Sequence, residues 1–126
     1  MPNRAIQTQN ISRSIVMAKA VVNTAEYLDI PKNKLASILG LSPSSVTRLY
    51  TQTYQLAQSK KEWDFAVLFV RLFRSLDSIV GNPDDAKKWL KSENKAFAGR
   101  RPIDLIESTE GLVRVVNYLD ASRAVI

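Results

Sequence analysis

The sequence predicts an all-α fold, with a helix-turn-helix N-terminal half packed on a helical C-terminal domain. Three observations predict it. Apolar residues recur at helical spacing in one stretch after another. Turn residues punctuate those stretches at Pro31, Gly40, Gly81-Asn82-Pro83, Pro102 and Gly111. Residues 31–49 have the spacing of two short helices joined by a tight turn. At 126 residues the chain suffices for one core, or for two small helical lobes sharing one.

Met1 to about Gln9 is polar and aperiodic, which predicts a frayed arm with Arg4 as a candidate phosphate contact. The first helix is expected from Asn10 or Ser12, either of them a suitable N-cap. Ile11, Ile15, Ala18, Val22, Ala25 and Leu28 form its apolar stripe. Asp29-Ile30-Pro31 ends it, because proline disfavours helix in the residue before it.

In the next stretch Leu35, Ile38 and Leu39 are expected to face a core, and Ala36 is small where two helices approach. Gly40 stands where the first short helix must stop in a left-handed conformation. Leu41 plugs the turn, Ser42 is the N-cap and Pro43 takes the first helical position. Val46 and Leu49 then point inward, leaving Ser44, Ser45, Thr47 and Arg48 outward. A helix entering the major groove needs such a small, polar or cationic face. The DNA-binding candidates are therefore Ser44, Ser45, Thr47 and Arg48, with Lys32 and Lys34 of the preceding helix beside the phosphate backbone. An αα-hairpin without a DNA role uses the same turn. Thr51 to Lys61 is polar and either extends the second helix or links onward.

Glu62 to Val80 is apolar around most of a helix, with a narrow polar strip of Asp64, Arg71, Arg74, Ser75 and Ser78. It reads as a central strut that contributes to a homodimer, or simply as a core helix. Gly81-Asn82-Pro83 stops it, and Asp84 and Asp85 open the next helix, where negative charge favours the dipole. Adjacent residues on a helix diverge, so this acid pair is no metal or acid–base site. Trp89 and Leu90 end that helix. Phe97-Ala98-Gly99-Arg100-Arg101 is a short connection without the repeated glycines of a phosphate loop. Pro102 starts a helix with Asp104 in its first turn and Leu105–Ile106 inward. Thr109-Glu110-Gly111 starts the last one, carrying Leu112, Val115, Val116 and Leu119. Residues 120–126 are expected to leave it as an apolar tail that enters a partner or frays.

Composition excludes several classes of chemistry. With no Cys and no His, there are no thiol nucleophiles, imidazole bases, zinc-finger ligands or disulfides. No apolar run approaches the roughly 20 residues of a membrane span, and the N-terminus lacks a signal peptide's apolar core; the expected location is cytoplasmic. The formal charge of +6 is lopsided. Residues 1–61 hold eight Lys/Arg against two acids, whereas residues 62–126 hold ten of each. A basic half joined to a neutral half suggests a polyanion partner for the first and a protein partner for the second.

The order Trp89-Leu90, Asn94, Phe97, Gly99, Pro102, Asp104-Leu105-Ile106, Gly111, Val115 resembles the toxin-binding domain of the Xre/MbcA/ParS antitoxin family. A helix-turn-helix half in front of it is that family's layout. The resemblance implies three parts: residues 1–61, a basic region with the helix-turn-helix at about 31–50; residues 62–80, a dimerising central helix; and residues 81–126, the toxin-binding domain. It implies the antitoxin of a type II toxin–antitoxin system. The partner would be a RES-type toxin that consumes NAD, its active site covered by the C-terminal domain. The N-terminal half would bind operator DNA and repress the operon. Neither metal nor cofactor is implied. The motif residues themselves shape the domain, so toxin contact is expected from exposed neighbours: Arg100, Arg101, Glu107, Arg114, Asn117 and Arg123. The chain departs from the pattern at Arg101, where a Ser or Thr cap is expected before Pro102; its absence costs the helix start about 1 kcal/mol. The alternative is a helix-turn-helix transcription regulator whose C-terminal half only dimerises. An enzyme is not expected, since no nucleophile–base pair, metal cluster or nucleotide loop is present.

Overall fold

The computed structural model describes residues 4–125, without the side chains of residues 4–8, 10 and 125. Among these, seven α-helices follow one another: α1 (Arg4–Tyr27), α2 (Lys32–Leu39), α3 (Pro43–Tyr50), α4 (Lys61–Val80), α5 (Pro83–Lys91), α6 (Pro102–Leu105) and α7 (Thr109–Val125). A single 3₁₀ turn, Lys95–Phe97, lies between α5 and α6. No strand occurs among the described residues; Asn94 and Arg100 form one isolated antiparallel bridge. The fold is all-α.

α4 is the strut, packing against α1 and α2 on the N-terminal side and against α5 and α7 on the C-terminal side. Ala66, Phe69, Leu72 and Leu76 of α4 are fully buried, and from α7 so are Leu112, Val115, Val116 and Leu119. Polar groups also hold these two helices together. Ser75 Oγ donates to Asp120 Oδ1 at 2.7 Å, and the Arg71 guanidinium lies 2.5 Å from Asp120 Oδ2.

Several expectations change. α1 begins at Arg4 rather than at Asn10 or Ser12, since no proline or glycine interrupts residues 4–27. The remainder of the expected arm, Met1–Asn3, and the side chain of Arg4 lie outside the described residues, as does Ile126. The stripe on α1 is rotated. Ile11 and Ile15 are each 48% exposed and Val22 is half-buried. Ser14, Val21 and Thr24 join Ala18, Ala25 and Leu28 in the interior. α1 presents small residues to its neighbours, and Ser14 Oγ donates to the Leu56 carbonyl at 2.9 Å, so its hydroxyl is satisfied in the core. At the other end, α7 stays helical through Val125, and the chain does not leave the helix at Asp120.

Residues 51–60 are an irregular link rather than an extension of α3. Gln52 turns the chain with φ 61°, and Leu56 then drops into the core. Glu62, itself buried, clasps this link. Its carboxylate accepts from Tyr54 Oη at 2.9 Å and from the Ala57 N–H at 3.1 Å.

Candidate nucleic-acid and partner interfaces

The α2–α3 turn follows local chemistry. Gly40 closes α2 with φ 67° and donates its N–H to the Ala36 carbonyl, a left-handed position that disfavours any other residue. Ser42 caps α3: its Oγ accepts from the Ser45 N–H at 3.2 Å, and Pro43 occupies the first turn. Ser44, Thr47 and Arg48 are exposed on α3. Ser45 is not: it is buried, receives a hydrogen bond from Ser42 Oγ at 2.9 Å, and braces the turn instead of facing outward. The reason is its i+3 relation to the cap, which draws its side chain back over the turn. Arg48 extends across the Tyr54 ring at 5.5 Å, and Lys32 lies over Tyr50 at 4.8 Å. A cation on a ring face keeps its full charge.

Lys34 is placed differently. Its Nζ lies 3.0 Å from Asp104 Oδ1 and 3.4 Å from Glu107 Oε2, joining α2 to α6 and the segment that follows it. Asp104 is shared, because Arg101 also grips it through Nε at 2.8 Å and Nη2 at 3.0 Å. The Arg101 hydrogen bonds, followed by that of Lys34, hold the Asp104 carboxyl below the usual aspartate range. The hydrogen bond to Asp104 in turn raises Lys34 above the ordinary lysine value. Arg101 provides no side-chain cap to α6; its guanidinium instead pairs with Asp104 across the first turn. A second polar tie joins the same halves, where Lys91 Nζ reaches the Asp29 carbonyl at 3.2 Å and its carboxylate at 3.3 Å.

The 94–101 connection is a tight loop. Asn94 Oδ1 accepts from the Ala96 N–H at 2.9 Å, and the Asn94 carbonyl accepts from the Gly99 N–H at 2.9 Å. Ala98 and Gly99 both carry positive φ. Phe97 is driven into the core and meets Trp89 and Tyr118 at ring separations of 6.2 and 5.1 Å. Arg114 covers the Phe97 ring at 5.5 Å and reaches the Ala96 carbonyl at 3.5 Å.

The six candidates for partner contact thus fall in three places. Arg100 is exposed on the loop, and Arg114 and Asn117 are exposed on α7, the helix that carries Tyr118. Arg101 and Glu107 belong to the Lys34 seam. Arg123 lies elsewhere, lining a groove of about 390 Å³ with Val16, Met17, Ala20, Val67, Val70, Arg71 and Arg74. Sequence reasoning missed Tyr118, which is exposed on the same side of α7 as Arg114; their i, i+4 spacing was the available signal. The motif residues Leu90, Phe97, Pro102, Leu105, Ile106, Gly111 and Val115 are all buried, while Trp89, Asn94 and Asp104 are half-buried and Gly99 is exposed in its turn. Among the described residues no cluster of three metal-ligating side chains occurs, and no helix is long and apolar enough to cross a membrane.

Two family models match in tandem. Residues 11–71 match the antitoxin Xre-like helix-turn-helix domain, and residues 75–124 match the antitoxin Xre/MbcA/ParS C-terminal toxin-binding domain. The fold is similar to a chain in the crystal structure of the M. tuberculosis MbcT-MbcA toxin-antitoxin complex. The TM-score is 0.65 at 24% identity, over 88% of this chain and 96% of that one. A shorter stretch of 41 residues is 39% identical to the 6-hydroxy-3-succinoylpyridine 3-monooxygenase HspA of Pseudomonas putida (strain DSM 28022 / S16). That match spans 32% of this chain and only 13% of the monooxygenase.

Proposed function

The chain belongs to the Xre/MbcA/ParS antitoxin family, and on that premise we propose that it neutralises a RES-type, NAD-consuming toxin by covering the toxin's active site. The observation that carries this reading is the tandem of a helix-turn-helix region and a toxin-binding domain on one chain. The mechanism is steric. The exposed surface of Arg100, Arg114, Asn117 and Tyr118 meets the toxin around its NAD pocket, with Arg101 and Glu107 at the margin and Arg123 further along α7. Stable inhibition of this kind buries roughly 1,200–2,000 Å². The antitoxin has no catalytic step of its own and needs no cofactor or metal. It works in the cytoplasm.

The same chain represses its operon through α2 and α3. Ser44, Thr47 and Arg48 enter the major groove, and Lys32 touches the backbone. Operator half-sites are served by a homodimer. The apolar residues left exposed on α1 and α4 support this, Val16 at 67% and Val67 at 40%, since they are adjacent and line one groove.

The test is co-expression with the neighbouring reading frame, tagging only the neighbour and following cellular NAD. Retention of this chain, with NAD falling only when it is omitted, is the expected result. Absence of both retention and toxicity leaves the second reading, a transcription regulator whose C-terminal half only dimerises. Arg100→Ala with Arg114→Ala separates the two, because it weakens toxin retention under the first and changes nothing under the second.

A further inference from the structure

We infer that the seam between α2 and α6 is an autoinhibitory contact: Asp104 and Glu107 mask Lys34 from DNA. The inference rests on the antitoxin reading with a DNA-binding α2–α3 unit.

The helix-turn-helix offers three cations, and they are not equivalent. Lys32 and Arg48 rest on tyrosine rings, contacts that leave their charge available to a phosphate. Among the described residues, Lys34 alone of the three is paired with carboxylates, at 3.0 and 3.4 Å. A phosphate that takes Lys34 must first displace two carboxylates, so this cation adds little to DNA binding while the seam is closed. The first helix of a helix-turn-helix crosses the DNA backbone, which is where a released Lys34 would act.

The two carboxylates also differ. Asp104 is held by Arg101 through two hydrogen bonds and keeps a cation whatever Lys34 does. Glu107 has only Lys34 as an ion-pair partner among the described residues, and its side chain is 34% exposed. Glu107 is therefore the carboxylate committed to Lys34, and neutralising it leaves one of the two that face that lysine.

The experiment uses the full chain and a fluorescent DNA duplex of scrambled sequence, titrated over a series of NaCl concentrations. Asp104→Asn with Glu107→Gln opens the seam. The exposed pair Asp84→Asn with Asp85→Asn removes the same charge from residues outside the seam and serves as the control. Opening the seam is expected to steepen the dependence of log Kobs on log[salt] by about 0.9, one added phosphate contact. That equals a roughly three- to fourfold larger affinity loss over a fourfold rise in salt. Adding Lys34→Ala to the opened seam returns the slope to the wild-type value, whereas Lys34→Ala in the wild-type background leaves the slope unchanged. Glu107→Gln alone gives a smaller effect in the same direction and covers the case in which the double variant does not fold. An equal effect of Lys34→Ala in both backgrounds overturns the inference, as does an equal gain from the control pair. If wild type binds no duplex even at low salt while the opened seam does, masking is complete and the inference stands. If neither binds, the DNA-binding reading falls and takes the inference with it.

Discussion

Gly111 opens α7 so close to the end of α6 that a Cβ there would lie 1.9 Å from the Leu105 carbonyl oxygen. Gly111→Ala must push these two elements apart, and overpacking of this kind costs roughly 1–3 kcal/mol, occasionally more. The expected outcome is a lower urea midpoint with an unchanged m value; an unchanged midpoint refutes the close approach. Read as sequence, Gly111 is a helix breaker, but its reason is steric and involves a residue six positions earlier. Asp104 yields a second prediction at this scale. Its folded pKa is depressed, so its stabilising contribution is complete above the ordinary aspartate range and is lost as pH falls through the folded value. Asp104→Asn should therefore lower thermal stability at neutral pH and bring the two proteins together in acid. A difference that persists undiminished in acid contradicts the ion-pair account. Ser45 shows why identity alone misleads: a serine three residues after a serine cap has a local hydroxyl to bind, and here it does so instead of facing solvent.

The link between α3 and α4 is an element in its own right. It holds no regular structure, yet it anchors Leu56 in the core and places Tyr54 beneath Arg48. Its hub is a buried carboxylate, Glu62, which a helical pattern reads only as an acidic first-turn residue. Tyr54→Phe removes one of the partners of that carboxylate but keeps the ring under Arg48. The expected result is a stability loss of about 1–3 kcal/mol by chemical denaturation, with DNA affinity nearly unchanged. Loss of DNA affinity without loss of stability would instead make the hydroxyl part of the interface. Helix positions along the chain are legible because proline, glycine and caps mark most boundaries. The exposed face of α1 is not, because Ile11, Ile15 and Val16 satisfy a helical stripe as well as the residues that are buried. Only the arrangement of α3, α4 and the link decides which side turns inward.

At the scale of the molecule, α4 joins a basic half to a neutral one, and both lean on it. The apolar residues it shares with α1 at the surface give the clearest prediction of assembly. Val16→Asp with Val67→Asp is expected to shift the protein toward monomer by at least an order of magnitude in sedimentation equilibrium while far-ultraviolet circular dichroism stays constant. A wild-type chain that is monomeric at micromolar concentration, or a variant that associates as before, removes the proposed dimer face. Charge is distributed on the same scale. The N-terminal excess is visible by counting, but its use is not, because Lys34 is spent on Asp104 and Glu107, some seventy residues away.

The sequence alone determined the all-α class, the α2–α3 turn and the motif that marks the C-terminal domain. These rest on local chemistry: a glycine that adopts positive φ, a serine that caps, apolar residues repeating every third or fourth position. The tertiary structure decided which cations are free, which face of α1 is exposed and which of the exposed residues near the C-terminus lie together. Each of these depends on contacts between residues far apart in the chain, and a periodic pattern carries the direction of a side chain but not the identity of what it meets.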